Sequence, residues 1–542
     1  MEKTEKDVSY LNSECKRFRF RIVVPAYPAL NIYTRIAKKT TALGPLCVAT
    51  SVNKMPGWDA EVIDENNLGK YGPRAESGGA DHRRLQVERP ADVVGFYAGL
   101  SSTAPRVYEI AKIYKTLGVI TIAGGQHFCE GTIGEALASG IDYVILGEGE
   151  EAVSEFLKTM EGGGDIEQVK GLAYLKNGKP FYTEKREAIT DFEKLADPDF
   201  SLVRYANMEI YPLERIRGCG MNCEFCTVKG KPRAASPERM LRQVSSLVEN
   251  RGAKEFFIVD DLFGQHRDET IRLCNMLGDY QRRIGRRLCI TVQIRLDKAR
   301  DEELLSAMRS AGIKFICIGY ESPIEEELAA MDKRIKAADM MKLTEIYRKA
   351  GFIVHGMFIF AYPLGEKSEF QMSADERVAI YRRFIKKAKI DTVQIMLPVP
   401  LPGTEFRERL EKGKRIFPLS DIGWEYYDGS FPLFEPDMPL TPQELHYAAK
   451  NIMGKFYRFS YMFLIPVNIL EFPSLIFYFN NIQAGWSRWY RLWRNNLIRS
   501  GGSIMYYKWS AAFKKNNFLE RLREAQLHLS GLHQYAGEEA ES

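Results

Sequence analysis

The chain has 542 residues, 45% of them hydrophobic, with 76 Lys and Arg against 71 Asp and Glu for a net charge of +5. A length this great exceeds one core, so two or three domains are expected, and nearly balanced signs argue against nucleic acid as a partner. Residues 1–19 are polar and mixed in charge, without the apolar run of a secretory signal, and nine cysteines, an odd number, suit a reducing cytoplasm better than a disulfide framework.

After that N-terminal tail, short β-branched runs alternate with helical spacing. Strands are expected at Phe20 to Val24, Ala60 to Ile63, Val93 to Tyr97, Val119 to Ala123 and Tyr143 to Leu146, with helices at Val107 to Leu117 and Glu150 to Met160. Alternation of this kind predicts an α/β domain over residues 20–165, a doubly wound, Rossmann-like parallel sheet. Ligands of such sheets lie beyond the carboxyl ends of the strands. The residues found there are Pro25 to Pro28, then Gly99 to Thr103 with Ser101 and Ser102, then Gly124 and Gly125, then Gly147, Glu148, Gly149 and Glu150. Glycines and small hydroxyls let a large flat ligand approach the backbone.

Residues 166–200 read as a hairpin and linker. Asn177-Gly178 is a two-residue turn signal between apolar runs, and Ala196-Asp197-Pro198-Asp199 stops either regular element. A second α/β domain is expected over 201–410. Strands are predicted at Leu213 to Ile216, Glu255 to Val259, Leu288 to Ile294, Lys314 to Gly319, Phe352 to Phe360 and Thr392 to Leu397, separated by helices. Six strands alternating with helices make a partial (β/α)6 barrel whose chemistry belongs at the carboxyl ends of its strands.

The loop after the first of these strands carries Cys219, Cys223 and Cys226 in a Cys-x3-Cys-x2-Cys array, with Gly218 and Gly220 to let the backbone wrap. Three thiolates on one short loop suit an iron-sulfur cluster. A zinc site or three unrelated thiols are the plainer alternatives, yet no fourth Cys and no His lies near to close a tetrahedron. Cys274, Cys289 and Cys317 have apolar neighbours and read as core thiols.

At this loop the sequence resembles the radical S-adenosylmethionine enzymes. The resemblance implies a 4Fe-4S cluster with one iron open to the methionine moiety of S-adenosylmethionine, whose reductive cleavage releases a 5'-deoxyadenosyl radical, with an external electron donor such as flavodoxin or ferredoxin. Asp260 and Asp261 stand where many relatives have Gly-Gly-Glu, which implies contact with the methionine amino group. Glu321, in Gly-Tyr-Glu-Ser, resembles the acid that binds the ribose hydroxyls, and Gln293 and Arg295 leave the third strand, with Arg295 expected to face the cofactor carboxylate. The Ala-Gly-Gly-Gln-His and Leu-Gly-Glu-Gly-Glu loops of the first domain look like the cobalamin-binding domain found in one branch of this superfamily. That assigns Ser101, Ser102, Gly124, Gly125, Gly147, Glu148 and Gly149 to cobalamin. Domains that give the cobalt a histidine carry Asp-x-His-x-x-Gly after the first strand, and this chain lacks it there. Neither His82 nor His127 is assigned to the metal, and a sheet that kept the fold without the ligand is the alternative.

Residues 411–542 form an extension. Phe472 to Leu519 holds no Asp or Glu, but has Arg488, Arg491, Arg494, Arg499, Lys508, Lys514 and Lys515 together with Trp486, Trp489, Trp493 and Trp509. Tyr461 to Phe479 is apolar, interrupted by Pro466, Glu471 and Pro473, so a spanning helix is disfavoured. Peripheral membrane contact and aromatic packing back onto the barrel are the two readings. The function expected is a cobalamin-dependent radical enzyme that removes hydrogen from an unactivated carbon and methylates a large apolar, lipid-like small molecule. The alternatives are an oxidative cyclase of the anaerobic magnesium-protoporphyrin monomethyl ester type, and a sensor or scaffold with a structural cluster. Tyr320 and Tyr362 lie near strand ends, where packing is the expected role.

Overall fold

The computed structural model describes residues 18–541 apart from 77, 334, 366–369, 459 and 471–481. The chain divides into two compact units. One comprises residues 18–26, 41–99 and 105–207; the other comprises 27–40, 100–104 and 208–541.

The first unit is built on an eight-stranded sheet. Its strands are β1 (Phe18–Val24), β2 (Trp58–Asp64), β3 (Val93–Tyr97), β4 (Ile120–Gly124), β5 (Tyr143–Ile145), β6 (Leu172–Lys176), β7 (Lys179–Tyr182) and β8 (Val203–Arg204), in the order β7-β6-β5-β4-β3-β1-β2-β8. Strands β1 to β5 and β8 run parallel, while β5/β6 and β6/β7 pair antiparallel. The β6/β7 hairpin turns at Asn177-Gly178, where both residues have positive φ, as that dipeptide requires. Strand order reverses at β1, between β3 and β2, because the chain winds first to one side and then to the other. Helices Leu43–Asn53, His82–Glu88 and Glu130–Ala138, which the apolar pattern alone does not predict, complete the layers. Leu43–Asn53 has almost no amphipathic contrast, since most of its residues are buried or small, so periodicity carries little signal there.

The second unit contains six parallel strands: β9 (Ile210–Leu213), β12 (Glu255–Phe263), β13 (Cys289–Ile294), β14 (Ile313–Glu321), β15 (Ile353–Ile359) and β16 (Thr392–Met396). They pair in simple sequence order, β9 beside β12 and β16 at the far edge, with helices Pro237–Arg251, Arg267–Ile284, Glu302–Ser310, Ala337–Lys349 and Ala374–Ala388 between them. Sequential parallel pairing with intervening helices is the connectivity of a barrel, here left open because no pairing joins β9 to β16 among the described residues. Between β9 and β12 lies a short antiparallel pair, β10 (Ile216–Arg217) and β11 (Arg233–Ala234), in place of the single strand expected over Leu213 to Ile216.

Alternation along these strands separates two faces. Ile316, Ile318 and Tyr320 of β14 and Val354, Gly356 and Phe358 of β15 are fully buried, under the helices. Cys317, Gly319, Glu321, His355, Met357 and Ile359 are less covered and share the opposite face. Helix ends are set by local chemistry. Ser236 accepts the Arg239 N–H with Pro237 in the first turn, Gly252 closes that helix in the left-handed region, and Ser373 and Glu376 form a reciprocal cap.

The extension is helical. Pro442–Phe456 packs on Ala374–Ala388, and a helix over Ile482–Phe513 is followed by Phe518–Glu541. Trp509 is buried and its Nε1–H donates to the Leu30 carbonyl at 2.8 Å. Phe513 and Phe518 stack with Phe431 around His446. Arg499 donates to the Ile390 carbonyl at 3.1 Å, and Arg494 stands 3.6 Å from the buried Asp391. This part of the extension therefore folds back onto the barrel unit. Residues 472–481 and the side chains of Trp486, Arg488, Trp489, Arg491 and Trp493 lie outside the described residues. No described helix is long and apolar enough to cross a membrane.

Candidate functional site

Cys219, Cys223 and Cys226 occupy the loop between β10 and β11, so a two-strand clasp closes the base of the loop. Glycine is required at 218. Its φ is +89°, and a Cβ there would lie 2.7 Å from the Lys231 carbonyl oxygen across the clasp. Gly220, also at positive φ, donates its N–H to the Gly230 carbonyl at 3.0 Å. Cys226 N–H bonds the Cys223 carbonyl at 3.2 Å, and Val228 N–H points at Cys226 Sγ at 3.4 Å.

Cys223 and Cys226 both sense neighbouring thiols. Burial raises the Cys226 thiol, the Val228 N–H opposes the rise, and Cys223 and Cys219 add to it. Burial also raises Cys223, with Lys333 pulling it down and Glu321 and Cys219 pushing it up. No three His, Cys, Asp or Glu side chains among the described residues stand as a ready site for a single metal ion. A 4Fe-4S cluster makes a different demand, because each thiolate takes a separate iron and the sulfurs need only surround the cluster. Three thiols gathered on one glycine-shaped loop fit that group.

Strand β12 runs further than its apolar residues predict and carries both aspartates inside it. Asp260 therefore faces the helix side and Asp261 the opposite one. Asp260 Oδ1 accepts the backbone N–H groups of Arg215 and Ile216, at 2.6 and 2.9 Å, and Asp261 Oδ2 accepts the Gly218 N–H at 2.7 Å. Both carboxylates thus hold the strand and turn leading into the cysteine loop. Burial pushes Asp260 up to about 6 against the pull of those two N–H groups, and its Oδ2 is buried without a partner.

Arg295 is also engaged. Its Nε and Nη2 grip Asp297 at 3.0 and 2.9 Å, and Nη1 approaches Met221 Sδ at 2.9 Å, on the loop between Cys219 and Cys223. Gln293 is exposed on β13. Glu321 ends β14 at positive φ and pairs with Lys333 Nζ at 2.9 Å. Gly319 makes room for it, since a Cβ there would lie 2.5 Å from Glu321 Oε1. Burial lowers Lys333, but Glu321 and Cys223 outweigh it and raise its pKa, which keeps a cation beside the cysteine loop.

The loop has a second support that sequence reasoning missed. Glu224, between Cys223 and Cys226, accepts from Arg409 Nη2 at 2.6 Å and from the buried Tyr362 hydroxyl, while its backbone carbonyl accepts the Phe406 N–H at 3.0 Å. Lys229 donates to the Cys223 carbonyl at 2.9 Å. Helix Glu405–Lys412 thereby clamps the loop from much later in the chain. Tyr362 is a positioning group, and Tyr320, bonded to Thr344, is core.

In the first unit, Gly124 ends β4 and Gly125 follows at φ +119°. A Cβ on Gly125 would lie 2.6 Å from the Ala98 carbonyl oxygen, so glycine permits the ends of β3 and β4 to close on each other. Gly147, at φ +90°, borders open space. Gly149 begins helix Gly149–Gly162 and lets it approach Val48, whose methyl would be 2.9 Å from a Cβ. Glu148 Oε2 accepts the Ile189 N–H at 2.6 Å, so that carboxylate braces the linker. His82 lies between Glu65 and Tyr114, and His127 beside Tyr108, all buried. In the second unit, Ser101 and Ser102 are buried in the turn Ser101–Thr103, and Ser102 Oγ has no partner. The glycine-lined strand ends of the first unit fit a flat ligand that lies close to the backbone.

Comparison with known proteins decides the assignment. Residues 213–376 match the model of the radical SAM superfamily, and residues 32–157 match that of the B12 binding domain. The chain is a B12-binding radical SAM enzyme. Those two domains imply a 4Fe-4S cluster, S-adenosylmethionine and cobalamin as its cofactors. This radical SAM enzyme is 26% identical over 454 residues to the hopanoid C-3 methylase of Methylococcus capsulatus, covering 79% of this chain and 80% of the methylase. It is 25% identical over 343 residues to the anaerobic magnesium-protoporphyrin IX monomethyl ester cyclase of Cereibacter sphaeroides, spanning 61% of this chain and about half, 53%, of the cyclase. Its fold matches that of the cobalamin-dependent S-adenosylmethionine radical enzyme OxsB with a TM-score of 0.62, covering 95% of this chain and 75% of OxsB at 14% identity.

Proposed function

We propose that this radical SAM enzyme methylates an unactivated carbon of a large apolar small molecule. The observation that carries the reading is the pairing of a clamped three-cysteine loop with a B12-binding domain in one chain. When bound, the cluster, S-adenosylmethionine and cobalamin supply the one-electron chemistry and a transferable methyl group. The chain's residues do the rest. Cys219, Cys223 and Cys226 would hold the cluster, with Asp260, Asp261 and Gln265 fixing their loop through its backbone. Glu321 and Lys333 set a carboxylate and an ammonium beside Cys223, the charge types that would orient hydroxyl and carboxylate groups of S-adenosylmethionine.

The barrel face of β14 to β16 favours an apolar substrate. Cys317, Met357, Ile359 and Met396 line it, and its polar groups are largely spent on each other: His355 bonds Thr392 at 2.9 Å and Gln394 at 3.4 Å, and Gln394 donates to the Tyr33 hydroxyl. Polar atoms already paired leave thioether and aliphatic surface for the ligand.

The test is product analysis under anaerobic reduction with S-adenosylmethionine and hydroxocobalamin. Methyl transfer predicts S-adenosylhomocysteine in amounts tracking bound cobalamin, together with 5'-deoxyadenosine, and neither product from the Cys223→Ala variant. Deoxyadenosine without S-adenosylhomocysteine would refute methylation and support the cyclase alternative.

A flavodoxin or ferredoxin as electron donor belongs to the same reading. So does peripheral membrane contact, for which the supporting observation is Met462, Phe463 and Leu464, consecutive exposed residues on helix Ser460–Leu470, with Phe463 76% accessible.

A further inference from the structure

Glu321 sits in a backbone conformation that its residue type does not favour. Its φ is +59°, in the left-handed region, and the Ser322 N–H closes a three-residue turn on the Tyr320 carbonyl at 2.8 Å. A non-glycine residue held there costs about 1–3 kcal/mol, and such tight turns are rare. The register of β14 against β15 also shifts between Gly319 and Glu321, and a shift of this kind turns a side chain to a new direction. Something must hold this turn, because an unrestrained chain relaxes to negative φ.

Four polar side chains of the second unit meet at that turn: Ser322, Glu327 of helix Glu325–Ala330, and Arg377 and Tyr381 of helix Ala374–Ala388. All four are buried, and no buried side-chain polar atom among them lacks a partner. Ser322 Oγ donates to Glu327 Oε2 and accepts the Ile324 N–H at 3.0 Å, so the residue after Glu321 is fixed through its side chain. Arg377 Nη1 pairs with the other carboxylate oxygen, Oε1. The Tyr381 hydroxyl stands 2.8 Å from Glu327 Oε2, 2.8 Å from the Ile359 carbonyl and 3.0 Å from Ser322 Oγ, which ties the turn to the end of β15. A buried ion pair is a weak stabiliser, because desolvating both charges offsets their attraction and apolar residues of the same volume serve stability as well. What the pair contributes here is direction, since it fixes where one turn points.

Glu321 is the group so directed. Its carboxylate folds over Gly319, where a Cβ would lie 2.5 Å from Oε1, and pairs with Lys333 Nζ at 2.9 Å. We propose that Ser322, Glu327, Arg377 and Tyr381 are positioning residues that hold the Glu321 carboxylate in place for S-adenosylmethionine, and so set the affinity for a cofactor they do not touch. Being buried, they offer a ligand no surface of their own and act only through the turn. When the turn is held for only a fraction of the time, the apparent affinity falls by that fraction. This role rests on the reading of Glu321 as a cofactor contact.

The measurement is the dissociation constant of radiolabelled S-adenosylmethionine for the full-length protein with its oxidised cluster, by anaerobic equilibrium dialysis without substrate. Glu321→Ala is expected to weaken binding about 10- to 100-fold, the range of a charged hydrogen bond, and Tyr381→Phe and Ser322→Ala about 3- to 10-fold each. The last two variants remove a hydroxyl alone, leave the Glu327–Arg377 pair in place and should keep the wild-type cluster absorption per chain. A double-mutant cycle decides between positioning and general support. Tyr381→Phe added to Glu321→Ala should cost less than about 2-fold, because the carboxylate it positions is gone, and Ser322→Ala gives the same cycle by a second route. An undiminished loss in the Glu321→Ala background is general loosening and overturns the positioning role, as does a constant unmoved by both Tyr381→Phe and Ser322→Ala. A constant unmoved by Glu321→Ala overturns the cofactor contact itself and the positioning role with it, a result distinct from the other two.

Discussion

Removing Arg409 should loosen the cysteine loop without unfolding the barrel. The guanidinium reaches Glu224 through Nη2 at 2.6 Å and Nε at 3.3 Å, and the pair is partly exposed, at 33% and 21% for the two side chains. A charge-assisted hydrogen bond contributes about 1.5–3 kcal/mol when shielded, and partial exposure reduces that to about 1–2 kcal/mol. Tyr362 still donates to Glu224 in the Arg409→Ala variant, and the Phe406 N–H still holds its carbonyl, so the loop keeps two of its attachments. A loss of about 1–2 kcal/mol in loop closure raises the open population about 5- to 30-fold. The assay is the rate at which an iron chelator bleaches the cluster absorption under anaerobic conditions, which follows the open population when reclosing is fast. The expected result is loss about 5- to 30-fold faster, with a change of only a few degrees in the melting temperature. Bleaching at the wild-type rate would refute the idea that helix Glu405–Lys412 secures the loop.

Two further outcomes test other parts of the molecule. Burial among Phe431, Phe513 and Phe518 lowers His446 to about 4 from 6.5, so the unfolded chain binds its proton more tightly and stability falls as pH drops from 6.5 toward 4. The loss should approach about 3 kcal/mol and vanish in His446→Phe, read from denaturant melts at each pH; equal slopes in the two proteins would dismiss the histidine as the cause. For the extension, flotation on anionic vesicles should recover intact protein and should recover much less of the Phe463→Asp variant, since a charge on that exposed face opposes insertion. Equal recovery would leave the extension as packing alone.

The cysteine loop and the two α/β patterns were legible because each depends on local sequence. Gly218 and Gly220 serve a turn within a few residues of the thiols, and the apolar runs of β3, β4, β5 and β13 to β16 mark their strands closely. Strand ends were less clear where polar residues continue a strand. Asp260 and Asp261 look like a loop after an apolar run, yet β12 continues to Phe263, and that continuation turns the two carboxylates to opposite faces. The extension shows the same limit, for its tryptophans and arginines suit a membrane surface as well as a protein one. Trp509 and Arg499 are assigned to protein contact only by the carbonyls of Leu30 and Ile390 that they reach.

What the sequence by itself determined was the existence of a three-thiolate loop, its place after the first strand of a partial barrel, and a Rossmann-like sheet before it. These follow from spacing, glycine and periodicity, which act over a few residues. Only the tertiary structure decided what holds that loop. Glu224 meets Arg409 across 185 residues of chain, Lys333 reaches Glu321 and the neighbourhood of Cys223 from another loop, and Asp260 takes the N–H groups of Arg215 and Ile216 from a neighbouring strand. Charge and hydrogen-bond partners separated so widely leave no local pattern, because their meeting depends on how every intervening element packs.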